Sequence, residues 1–103
     1  MALKTVTLTL TGAAQGDNLA SVGLSNGVAL GNKGIQHMLI LAPASAITYG
    51  PQISGTFTST PGTIAGAGSL LIGPFSNSGP SSTNEWYFKG TLSQVVTFLI
   101  ITH

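Results

Sequence analysis

The chain has 103 residues, of which 43% are hydrophobic and only 5% are Asp, Glu, Lys or Arg, with a formal net charge of +1 and no cysteine. This hydrophobic content argues against intrinsic disorder, and the missing thiols exclude a disulfide framework or thiolate metal site. Three scattered lysines (Lys4, Lys33 and Lys89) lack the cationic clustering that nucleic-acid binding requires.

The length fits one domain over 1–103. Residues 1–5 run straight into an alternating strand, without the apolar core or cleavage site of a signal peptide. In chain order, residues 4–11 put Val6, Leu8 and Leu10 on one side and Thr5, Thr7, Thr9 and Thr11 on the other. This alternation predicts a strand, and β-branched threonines cover a sheet face without charge. Residues 19–24 and 28–30 read as short extended pieces around Ser25-Asn26-Gly27, a hairpin signal, followed by a second turn signal at 32–34. The apolar run 35–42 has the pattern of either a helix or a buried strand; Pro43 and the nearby glycines favour strand.

Residues 47–49 predict a short strand, and 52–60 a longer alternating one with Ile53, Gly55 and Phe57 on one face. Pro61-Gly62 predicts a turn, 69–72 another strand, and Gly73-Pro74 its end. The polar stretch 76–84 predicts an exposed loop. Next comes Trp86-Tyr87-Phe88, in which Trp86 and Phe88 share one face of a strand and Tyr87 takes the other. Residues 91–101 predict a final strand, apolar on both faces, with Val96, Phe98 and Ile100 opposite Val95, Leu99 and Ile101. Two apolar faces imply burial on both sides, the second against another subunit. About seven to nine strands predict an all-β fold, a small β-sandwich or jelly-roll-like Greek-key domain, in an order the sequence does not reveal.

Catalytic chemistry is sparse. The acids are Asp17, in a turn context, and Glu85, beside the aromatic segment and within reach of Lys89. Neither has a visible carboxylate partner. His37 reads as a core or interface histidine, and spacing does not support a His37–His103–Asp17 metal site. No serine lies in a nucleophile elbow, and the glycine-rich pieces at 31–34 and 66–68 read as backbone bends. No catalytic, cofactor-binding or metal-binding residue is predicted. The interaction candidates are Lys4, Thr5, Trp86, Tyr87, Phe88, Val95, Leu99 and Ile101.

Scarce charge leaves little repulsion between copies and few guards on strand edges, so a homo-oligomer is expected. The chain resembles the small β-rich decoration, or cement, proteins of tailed-phage capsids. The resemblance lies in the opening Lys4-Thr5-Val6-Thr7-Leu8-Thr9-Leu10 strand, the Ser/Thr/Gly-rich turns and the apolar finish at 95–101. It implies a non-enzymatic trimer, or a dimer, on the virion surface. Such a protein is assembled in the host cytoplasm and braces the major capsid protein. The alternative is a carbohydrate-binding or adhesion module of a tail or fibre, with Trp86 as platform and Gln52, Asn84 and Gln94 as candidate polar contacts.

Overall fold

A computed structural model describes residues 3–19, 35–74 and 86–102. Its strands are β1 (Leu3–Thr9), β2 (Asp17–Asn18), β3 (Ile35–Leu41), β4 (Ile47–Gly50), β5 (Gln52–Ile53), β6 (Thr56–Phe57), β7 (Gly62–Ile64), β8 (Ser69–Ile72), β9 (Tyr87–Lys89) and β10 (Val95–Thr102). The fold is all-β, and the described residues include no α-helix. The predicted hairpin at 25–27, the turn at 32–34 and the loop at 76–84 lie outside the described residues, as do Glu85 and His103.

Two four-stranded antiparallel sheets carry the fold, in the orders β1-β10-β3-β8 and β2-β9-β4-β7. Their pairings are nested: β1 with β10, β2 with β9, β3 with β8 and β4 with β7. Cross-pairs β10·β3 and β9·β4 complete the sheets. A long antiparallel hairpin rolled over itself gives this order, which is that of a jelly roll. The β5–β6 hairpin is an insertion between β4 and β7.

Strand alternation puts the core where the sequence pattern asks for it. Leu8, Met38, Ile40, Val96, Phe98 and Ile100 line the inner face of the first sheet, each at most 1% exposed. Leu19, Ile47, Ile64 and Phe88 face them from the second sheet. Phe88 and Phe98 meet edge-to-face across the sandwich, with centroids 5.1 Å apart and planes at 67°. That is a favoured aromatic geometry.

The apolar run 35–42 forms a strand over Ile35–Leu41, as Pro43 predicts. The expected single strand at 52–60 is instead a tight hairpin, pairing Gln52 with Phe57 and Ile53 with Thr56. Ser54 and Gly55 have φ of 51° and 80°. Positive φ at both central positions is the type I′ geometry, whose twist matches the strands it joins. The last strand begins at Val95 rather than residue 91. Before it, the Thr91 N–H donates to Gln94 Oε1 and the Gln94 N–H to the Thr91 carbonyl, closing a turn.

Candidate interaction surface

Among the described residues, the outer face of the β1-β10-β3-β8 sheet gathers a contiguous apolar surface. Register sets its rows: Thr5, Leu99, Leu39 and Leu71 lie side by side, and Leu3, Ile101 and His37 form the adjacent row. Thr7, Thr97, Leu41 and Ser69 follow, then Thr9 and Val95. Leu3, Leu71 and Val95 are 67%, 61% and 44% exposed. Leu39, Leu41, Leu99 and Ile101 are half-buried, although strands flank each of them. At about 4.8 Å between strands and ~6.8 Å per two-residue step, the face covers on the order of 400 Å² in projection. Its apolar part is smaller than that, within the few-hundred-Å² range in which exposed patches are often functional. Its threonine and serine border gives it an apolar centre and a polar rim, the usual anatomy of an interface.

The predicted interaction residues divide between the sheets. Thr5, Val95, Leu99 and Ile101 come together on this face. Lys4 is exposed on the same edge strand but lies opposite Ile100, on the inward-facing row. Tyr87 belongs to the other sheet, and Trp86 immediately precedes its strand β9. Trp86 is half-buried and stacked on Tyr49, with centroids 6.3 Å apart and planes at 28°. Tyr87 pairs with Asn18 and Gly50 on the outer side of that sheet. Phe88 is corrected outright: it is 0% exposed and fills the core, so it presents nothing to a partner. Sequence reasoning missed Leu3, Leu39, Leu41 and Leu71. The signal was available, since the odd positions of 35–42 are as apolar as the even ones once the segment is read as a strand.

Charge is almost absent from this face. Among the described residues Asp17 is the sole carboxylate side chain, and it has a structural task. Its Oδ2 accepts from the Thr11 N–H (3.0 Å) and its Oδ1 from the Thr11 hydroxyl (2.8 Å). No group of three His, Cys, Asp or Glu side chains that could hold a metal occurs among the described residues. No described helix is long and apolar enough to cross a membrane.

Beside the inserted hairpin lie two open concavities. One, of about 410 Å³, is lined by Thr56, Phe57, Thr58, Ser59 and Thr60. The other, of about 170 Å³, is lined by Ala14, Gln15, Gly55, Thr56 and Phe57. The Lys89 ammonium sits 5.6 Å from the Phe57 ring centroid, and Gln52 Nε2 donates to the Gln15 carbonyl (3.1 Å). These contacts pin the hairpin to the second sheet. The linings supply hydroxyls and one ring, but no general acid or base.

Comparisons with protein-family models, with curated proteins and with solved structures find no match.

Proposed function

We propose that this protein is a non-enzymatic structural module that self-associates and docks on a larger protein lattice through the outer face of its β1-β10-β3-β8 sheet. The lattice is the outer surface of a tailed-phage capsid, and the partner is the major capsid protein. The observation that carries the docking is the apolar row Leu99–Leu39–Leu71, flanked by Leu3 and Ile101, on a sheet face that nothing in the described chain covers. Burying it costs little desolvation, because the face brings almost no charge with it. Binding of this kind stabilises the shell by mass action, since bound copies favour the closed state.

The glycan-binding alternative draws less support. Its platform residue, Trp86, is half-buried and already stacked on Tyr49.

Co-sedimentation with intact capsid shells tests the proposal. The protein should pellet with shells and raise their disruption temperature. The Leu71→Lys/Leu99→Lys variant should keep its β-sheet circular dichroism and lose at least tenfold in shell affinity. Equal pelleting of that variant would overturn the assigned face. Failure of the unaltered protein to pellet, together with retention on a glycan array that Trp86→Ala abolishes, would transfer the function to the alternative.

A further inference from the structure

The two sheets have four edges, and three are too short to template another strand: β8 has four residues, β7 three and β2 two. The fourth edge, β1, has seven residues in unbroken register with β10. It has no proline and no bulge, and its single charge is Lys4 near one end. Natural sheets usually blunt such an edge. Among the described residues β1 pairs with β10 alone.

Parity shows which backbone groups face outward. The Leu10 N–H donates to the Gln94 carbonyl (2.8 Å), and the Leu10 carbonyl accepts from the Ser93 N–H (2.8 Å). Even-numbered residues therefore turn their hydrogen-bonding groups toward β10, and odd ones turn theirs to the free edge. Thr11 fits this rule, and Asp17 takes its outward N–H. The edge is thus capped just beyond the strand, while Leu3, Thr5, Thr7 and Thr9 point their peptide groups outward along it.

We propose that β1 pairs antiparallel with β1 of a second copy, centred on Val6, joining two four-stranded sheets into one of eight strands. The inference rests on the assembly reading for its occupant, a copy of the same chain. Self-complementarity argues for that occupant, since among the described residues the longest strand edge open to β1 is β1 itself. Centring on Val6 overlaps all seven residues, sets Thr5 opposite Thr7 and Leu3 opposite Thr9, and forms about eight main-chain hydrogen bonds. Threonine pairs of this kind are favourable. Lys4 falls opposite Leu8, so no like charges meet. The two-fold arrangement is isologous and closes at a dimer. It also sets the outer apolar faces of both copies side by side, doubling the docking surface. A strand-wide contact covers less than the ~800 Å² per partner of a standard interface, so a weak, concentration-dependent dimer is expected.

Light scattering of the full chain across about 1–200 μM should show the mass rising from one to two chains, a range set by the narrow contact. Amide exchange at Thr5 and Thr7 should slow at least tenfold from the low to the high end, while Val6 and Leu8 stay unchanged. Thr7→Pro removes an outward N–H without touching the β10 ladder and should leave a folded monomer. If that variant misfolds, Thr5→Lys/Thr7→Lys places lysines opposite each other and should also abolish the dimer. A protein that stays single at all concentrations, or a dimer that survives both variants, overturns the edge pairing. A monomer that still pellets with shells overturns the pairing alone. A dimer that Thr7→Pro splits but that ignores shells supports the pairing and removes the docking reading.

Discussion

Asp17 accepts from both the backbone N–H and the hydroxyl of Thr11, and so holds the turn between β1 and β2 with the only described carboxylate side chain. Replacing it with Ala leaves the Thr11 N–H to water in a solvent-exposed setting, so the loss should be about 1 kcal/mol, the ordinary net worth of a hydrogen bond and below that of a buried bond to a charged group. Urea denaturation of Asp17→Ala would show it, and an unchanged midpoint would mean that solvent substitutes fully for the carboxylate. Phe88 is a different case, fully buried and edge-on to Phe98. Phe88→Ala should cost about 3–5 kcal/mol through lost burial and the cavity left behind. For a domain of this size, with a usual margin of about 5–15 kcal/mol, that is a large fraction of the stability and should show as a fall in the urea midpoint. Gly62 lies directly beneath the Tyr49 ring, where an added Cβ would overlap it. Gly62→Ala should therefore displace Tyr49 from its stack on Trp86, at a cost of about 1–3 kcal/mol. Trp86 fluorescence should shift with the loss of stability, and an unshifted spectrum would place the strain elsewhere.

At the scale of elements, the β5–β6 hairpin shows what single-sequence reading catches and what it misses. Positions 53, 55 and 57 alternate with polar residues just as a strand does, so the two-residue turn at Ser54-Gly55 is invisible to periodicity. Gly55 is suited to its φ of 80°, but Ser54, at 51°, is not a preferred residue there. Ser54→Asn should raise stability by a few tenths of a kcal/mol, measurable as a small rise in Tm; a fall would indicate that the Ser54 side chain has a role beyond the turn. β1 and β10 were legible because their alternation runs over seven and eight residues, with Leu8, Val96, Phe98 and Ile100 all buried as their parity requires, whereas β3 and β8 were legible from the proline and glycine punctuation that bounds short apolar runs. Strand order was not legible, since nesting depends on contacts between residues as far apart as Leu3 and Ile101. The aromatic segment was legible in its alternation, and only the candidacy of Phe88 as an interaction residue fails. Alternation separates Tyr87 from Trp86 and Phe88 as expected, but which of the two faces is the core depends on how the sheets pack, and that face takes Phe88.

Across the whole molecule the two outer faces differ in kind. The β1-β10-β3-β8 sheet shows Leu3, Leu39, Leu71, Leu99 and Ile101, while the β2-β9-β4-β7 sheet shows Asn18, Thr48, Thr63, Tyr87 and Lys89. A sandwich with one greasy and one hydroxylated exterior has a direction, and docking should use the greasy side. Thr63→Lys, on the hydroxylated face, should leave shell binding within twofold of the unaltered protein, whereas Leu99→Lys should weaken it strongly; the reverse order would turn the molecule over. Salt separates the physics further. Contacts between charges weaken as the Debye length shrinks to a few Å, whereas apolar burial is unharmed and is strengthened by sulfate. Shell binding should therefore persist from about 0.05 to 0.5 M sodium chloride and tighten in sulfate. A steep loss across that range would assign the attachment to Lys4 and Lys89 instead, since these are the only described side chains whose fixed positive charge could respond in that way.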